Sequence, residues 1–201
     1  MPAEAIQTTI DESLTALFAS GARITVLWLF MVDPTRAYYQ RQIEAATGLP
    51  IRAVQRELER LSSINLLYRH AEGNRTYYRV DTQFPLFSEL RTMILKAGTE
   101  IDRLRGSLAL EPTVQLAFLN EAMKRVLVVT ASTADGNLVL PDGFKAESIT
   151  REEFLRLLSD KGVTLDPYLR EGVDILGRRD DVIWRRIEAA GYLVRKGKGV
   201  A

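Results

Sequence analysis

The chain has 201 residues, a formal net charge of +1, 46% hydrophobic and 26% charged residues, and no cysteine. This is the composition of a globular protein with one sizeable domain or two small ones. It excludes disulfides, thiolate nucleophiles and sulfur-based metal sites, and a single histidine, His70, excludes most histidine metal centres and a Ser-His-Asp triad elsewhere in the chain.

The densest apolar run, Ile24 to Val32, is far shorter than the roughly 20 residues that span a bilayer, so no membrane partner is expected. No basic leader precedes it, which makes the cytoplasm the expected location. Charge is unevenly placed. Residues 36–79 carry Arg36, Arg41, Arg52, Arg56, Arg60, Arg69, Arg75 and Arg79 against Glu44, Glu57, Glu59 and Glu72. Every base in this segment is arginine, whose planar fork suits phosphate and guanine better than lysine does.

In chain order, residues 1–12 are expected to be a tail. Ser13 to Val32 is apolar all round and predicts a buried helix, interrupted near Ser20-Gly21 and stopped by Asp33-Pro34. Ala37-Tyr38-Tyr39 predicts a short strand. Gln40 to Thr47 predicts a two-turn helix with Ile43 and Ala46 inward, closed by Gly48. Pro50 then opens a third helix as a first-turn proline. Ile51, Val54, Leu58 and Leu61 form its apolar stripe, and Arg52, Gln55, Arg56, Glu59 and Arg60 its outer face. Glu57 and Glu59 are candidate intrahelical partners of Arg56 and Arg60. Leu66 to Ala71 and Thr76 to Val80 are β-rich runs around Glu72-Gly73-Asn74-Arg75, a hairpin signal. The ordered set helix, strand, helix, turn, helix, hairpin is much more specific than a helix pair alone.

The stretch from Leu17 to Ala97 resembles winged-helix regulators of the ArsR/MarR type. The resemblance rests on Ile43-Glu44-Ala45-Ala46-Thr47-Gly48-Leu49, Val54 to Leu61, Leu66-Leu67-Tyr68-Arg69 and Gly73 to Tyr78. It implies a third helix in the DNA major groove and a wing along the backbone or minor groove. Candidate DNA contacts are Arg41, Arg52, Gln55, Arg56, Arg60, Asn74 and Arg75. Arg56 and Gln55 are the leading base readers, since arginine pairs with guanine and glutamine with adenine. Arg75 and Asn74 suit phosphate or minor groove, while Arg69 and Arg79 flank the hairpin. Without cysteine, the thiolate metal sensor of many ArsR proteins is excluded. His70 is expected to be a solvated strand residue.

From Phe84-Pro85 a long helix is expected to Leu108, ending at Glu111-Pro112. Phe87, Leu90, Ile94, Ala97, Ile101, Leu104 and Leu108 alternate at spacings of three and four, an a/d seam. The alternatives are a homodimer seam and a stripe packed on the first helix within one subunit. The regular spacing favours the dimer, which would present paired helices to a palindromic operator.

Beyond residue 112, Val114 to Leu119 and Arg125 to Thr130 predict buried strands, and Asp135-Gly136-Asn137 and Pro141-Asp142-Gly143 predict turns. Thr150-Arg151-Glu152-Glu153 predicts a capping box for a helix over Glu153 to Ser159. A last helix is expected over Asp181 to Ala190, burying Val182, Ile183, Trp184 and Ile187. For the basic Arg195-Lys196-Gly197-Lys198 the alternatives are a disordered end, which is favoured, and a segment that grazes DNA. Leu116 to Leu119, Ile149 to Phe154 and Gly172 to Gly177 resemble a minimal nucleotidyltransferase-like domain in degenerate form. Asn120-Glu121 replaces that family's Gly-Ser turn, no Asp-x-Asp pair follows, and Asp180-Asp181 diverge as adjacent residues.

The expected fold is thus α+β: a winged helix-turn-helix over 13–83, a dimerisation helix over 84–111 and a small α/β domain over 112–201. The expected function is a homodimeric, double-stranded-DNA-binding transcriptional regulator, not an enzyme, with no metal or organic cofactor. The alternatives are a nucleotidyltransferase-like enzyme and a protein-interaction module. The sequence specifies no operator, effector or sign of regulation.

Overall fold

A computed structural model describes residues 13–131, 138, 140–160, 163–179, 182–197 and 200. The expected tail 1–12, the Asp135-Gly136-Asn137 turn, the Asp180-Asp181 pair and Lys198 lie outside the described residues. The fold is α+β and divides into two compact units between Gly106 and Ser107.

In the first unit residues 13–18 are helical, and the chain breaks at Ala19, whose φ is 53°. Ser20 then caps helix α1 (Gly21–Val32), its hydroxyl accepting from the Arg23 amide at 3.2 Å. Asp33 ends α1, because Pro34 cannot continue the ladder. Strand β1 (Tyr38–Tyr39) leads into α2 (Gln40–Thr47). Gly48 closes α2 at φ 70°, a conformation that costs glycine little, and its amide bonds the Glu44 carbonyl at 2.8 Å.

Helix α3 spans Ile51–Ser63. Pro50 is its N-cap rather than its first-turn residue: ψ is 142°, and its carbonyl receives the Ala53 and Val54 amides at 2.8 and 3.1 Å. Strands β2 (Leu67–Glu72) and β3 (Arg75–Val80) pair antiparallel around a two-residue Gly73-Asn74 loop. Gly73 has φ 59°, as the first position of a type II′ hairpin requires. β1 joins the far side of β3, giving the order β1-β3-β2. The core is the inner face of α1 (Val26, Leu29, Phe30) with Tyr38, Ile43, Val54, Leu58 and Val80, all at 0–1% exposure.

The expected single helix over 84–111 is two helices, α4 (Phe87–Ala97) and α5 (Glu100–Leu110). Phe84-Pro85 forms a turn before α4 rather than its start. The break falls at Gly98, extended at ψ 172°, and at Thr99. Thr99 and Asp102 cap α5 reciprocally: the Thr99 amide donates to the Asp102 carboxylate at 2.8 Å, and the Asp102 amide to the Thr99 hydroxyl at 3.2 Å. A continuous a/d seam therefore does not exist. Ile94 and Ala97 are buried in the chain's own core, and Phe87 and Leu90 pack against it, as the one-subunit alternative required. Leu104 and Leu108 are also buried in the single chain, and Ile101 is half-buried.

The second unit holds a five-stranded sheet in the order β6-β5-β4-β7-β8, from β4 (Val114–Asn120), β5 (Arg125–Thr130), β6 (Lys145–Thr150), β7 (Val173–Asp174) and β8 (Arg195–Lys196). Its central pairings are antiparallel and its two outer ones parallel. Helices α6 (Arg151–Ser159), α7 (Asp166–Leu169) and α8 (Val182–Ala189) supply its hydrophobic core. Phe118 stacks between Phe154 and Trp184, both at 6.0 Å, and its full burial contributes about 1.5–3 kcal/mol. Thr150 caps α6 as expected, accepting from the Glu153 amide at 3.2 Å. Val182 is 61% exposed, unlike Ile183, Trp184 and Ile187, because it starts α8 on the outer side. Arg195-Lys196 is no loose end: β8 pairs with β7, and Arg195 donates to the Glu171 carbonyl at 2.8 Å. Gly172 is required by close approach, since a Cβ there would lie 2.4 Å from the Tyr168 carbonyl oxygen and 2.9 Å from that of Leu119.

Candidate nucleic-acid interface

The site begins with the residues that fix α2 and α3. Ile43 anchors α2, and Val54, Leu58 and Leu61 anchor α3 in the core, which leaves the opposite faces to solvent. Arg41 on α2 and Arg52, Gln55, Arg56, Glu59 and Arg60 on α3 are all exposed, as are Asn74 and Arg75 at the hairpin tip. Arg52, Gln55 and Arg56 occupy the first half of α3, and no side chain caps the start of that helix.

Two contacts tie these elements together. The Gln55 amide donates to the Gln40 side-chain carbonyl at 3.2 Å, joining α3 to the start of α2. The Arg75 guanidinium lies 4.7 Å from the centre of the Tyr39 ring, so the hairpin tip reaches back over the β1–α2 junction. Tyr39 meets Tyr77 edge-on at 5.6 Å, and Tyr77 stacks on His70 at 5.6 Å, forming a row across β1, β3 and β2. His70 is an exposed strand residue, as expected. Arg41 makes no ion pair or hydrogen bond with the other candidates among the described residues.

The expectation that Glu57 is an intrahelical partner understates it. Its carboxylate is fully buried and meets three guanidinium groups, Arg23 at 3.0 Å, Arg60 at 3.3 Å and Arg56 at 3.5 Å. Ser20 donates a fourth contact at 3.5 Å, and Arg23 also donates to the Phe18 carbonyl at 2.8 Å. Arg56 and Arg60 keep 59% and 54% of their side-chain surface in solvent, against 25% for Arg23. Arg52 makes no ion pair among the described residues. The position of Glu57 carried a signal: it follows Val54 by three and precedes Leu61 by four, on the edge of the buried stripe.

Tyr38 is wholly buried in β1, edge-on to Phe30 at 5.6 Å. Its hydroxyl is pushed up to about 12, first by burial and then by the Asp33 carboxylate, with Arg105 and Arg36 acting in the opposite direction. Asp33 accepts from the Thr35 hydroxyl at 2.7 Å. Beside the C-terminal end of α3 an open groove of about 650 Å³ is lined by Glu59, Asn65, Tyr68, Arg69 and Asp81 among others. With two carboxylates to one guanidinium it does not extend the basic face.

In the second unit, the positions of the nucleotidyltransferase resemblance serve internal contacts. Asn120 is buried, donates to the Pro167 carbonyl at 2.8 Å and accepts from the Met123 amide at 3.1 Å. Asp174 accepts from the Leu176 and Gly177 amides and from Arg179 at 2.9 Å, and Arg179 covers Trp184 at 4.2 Å. Among the described residues no cluster of acidic or histidine side chains could hold a metal ion, and no helix is long and apolar enough to cross a membrane.

No protein-family model matches the chain, and no curated protein or solved structure shows significant similarity to it.

Proposed function

We propose that the chain is a sequence-specific, double-stranded-DNA-binding transcriptional regulator whose first unit works as a winged helix-turn-helix. The supporting observation is the division of α3. Val54, Leu58 and Leu61 of its apolar stripe are buried, while Arg52, Gln55 and Arg56 stand exposed in its first half beside an exposed Asn74-Arg75 hairpin tip. In this reading α3 enters the major groove, where residues near the start of such a helix reach base edges. Gln55 and Arg56 read bases, and Arg52, Arg75 and Asn74 meet phosphate or the minor groove. The proposal includes a homodimer on a palindromic operator. With Ile94 and Ala97 buried in the chain's own core, Leu86 at 56% and Met93 at 38% exposure offer apolar surface on and beside α4 for a second copy.

The test is selection of genomic DNA fragments by the purified protein at two salt concentrations. A palindromic sequence enriched at both, with affinity falling steeply as salt rises, supports the proposal, because phosphate contacts release counterions. Sequence-blind or salt-insensitive capture refutes it and shifts attention to a protein partner.

A further inference from the structure

A buried carboxylate must have its charge compensated, and one close, hydrogen-bonded partner suffices when it is well held. Arg23 is such a partner for Glu57: it is the closest of the three cations, the least exposed, and fixed at its other end by the Phe18 carbonyl. Ser20 adds a further donor. Arg56 and Arg60 therefore exceed what burial of Glu57 demands. Their contacts are longer, their side chains lie mostly in solvent, and both belong to the exposed face of α3. Glu57 itself cannot follow them outward, since it stands beside Val54, Leu58 and Leu61, which are locked in the core.

We propose that Glu57 is a positioning residue, an internal counter-anion that holds Arg56 and Arg60 back from DNA phosphate and so sets the sequence-independent affinity of this face. The inference rests on the DNA-binding reading above. A phosphate approaching α3 competes with a carboxylate already in place, so these two arginines deliver only part of their charge to random DNA. At a cognate site Arg56 leaves Glu57 for a base edge, and the carboxylate stays neutralised by Arg23. Discrimination between specific and random DNA is thereby widened by lowering the random term.

The experiment uses the full chain and a labelled mixed-sequence duplex of about 25 base pairs, with affinity followed by fluorescence anisotropy across a salt series. In Glu57→Gln both arginines are released. The slope of log affinity against log salt is expected to steepen by up to about 1.8, two further phosphates at about 0.9 each, and random binding to tighten. In Arg23→Met the undivided carboxylate grips Arg56 and Arg60 harder, and the slope is expected to become shallower. Opposite changes from two variants that both disturb the same buried cluster cannot arise from a merely structural role, which would lower the folded fraction and leave the slope alone. Unchanged slopes in both variants, with the wild type binding steeply, overturn the role of Glu57 only. If Glu57→Gln does not fold, Arg23→Met decides alone: a shallower slope supports the proposal, and an unchanged or steeper one overturns it. A wild type without salt-dependent binding overturns the DNA-binding reading and this inference with it.

Discussion

Arg52 and Arg56 stand one helical turn apart on the same exposed face, yet they should not contribute equally to DNA binding. Arg52 makes no ion pair among the described residues, whereas Arg56 lies 3.5 Å from the Glu57 carboxylate. Arg52→Ala therefore removes one guanidinium wholly available to phosphate. Losing one such contact lowers the slope of log affinity against log salt by about 0.9. Over a fourfold rise in salt, from about 0.05 to 0.2 M, the wild-type advantage then shrinks by about 3.5-fold (four raised to the power 0.9). Arg56→Ala should lower the slope by clearly less, because part of that charge is already committed to Glu57. Anisotropy titrations of both variants at several salt concentrations, with circular dichroism to verify folding, give the comparison. Equal slope losses, or none in Arg52→Ala, would refute the assignment of charge on this face.

Tyr38→Phe tests the buried hydroxyl. A group whose folded pKa is about 12 against an ordinary 10.0 costs no stability below pH 10, and stability is lost as pH climbs toward 12 because the unfolded chain ionises first. The loss amounts to at most about 2.7 kcal/mol. Urea denaturation between pH 9 and 12 should show a flatter decline in the variant; identical declines would contradict the burial of that hydroxyl. Ile94→Ala should cost about 2–5 kcal/mol in urea denaturation and leave the sedimentation behaviour unchanged, since the side chain is 2% exposed in the chain's own core. Dissociation of an assembly without loss of subunit stability would restore the intermolecular seam. Gly172→Ala should destabilise the second unit by about 1–3 kcal/mol, because the added methyl meets two backbone carbonyls. A variant with wild-type thermal unfolding would show that the α7–β7 turn relaxes freely.

Much of the first unit was legible because its punctuation is chemical. Gly48 needs a positive φ, Gly73 suits the first place of a two-residue hairpin loop, and Pro34 cannot extend a helix. Both α2 and the hairpin lie where those residues put them. The split between α4 and α5 was also legible and was outweighed by heptad spacing: Gly98 followed by Thr99-x-x-Asp102 is a stop and a capping box in succession. An a/d pattern records which side of a helix is buried, and Ile94 and Ala97 satisfy it against α1 as well as they would against a partner. Strand β6 was missed because Lys145-Ala146-Glu147-Ser148-Ile149-Thr150 lies at a sheet edge, where exposure permits polar residues that hide the apolar pattern. β7 and β8, at two residues each, are too short to leave any periodic signal. On the candidate interface, exposure of Arg52, Arg56 and Arg60 followed from the stripe on α3. The burial of Glu57 depends on Arg23, 34 positions away, and such a long-range charge pairing has no local signature.

The sheet order of the second unit also sets a timetable. As synthesis proceeds at about 5–20 residues per second, domains fold as units from the N-terminus. The first unit has all its parts once residues through 106 have emerged. In the second, β4 gains β5 almost at once, but its other neighbour is β7, and the core waits further for Trp184, Tyr192 and Val194. Until then the nascent chain carries a complete first unit joined to a second whose core is unfilled and whose β4 has one bare edge, a template for aggregation and a mark for proteolysis. The longest exposure therefore falls on the apolar side chains of β4 and β5, since Leu116, Phe118, Leu127 and Val129 are made well before Trp184, Tyr192 and Val194 arrive to complete their core.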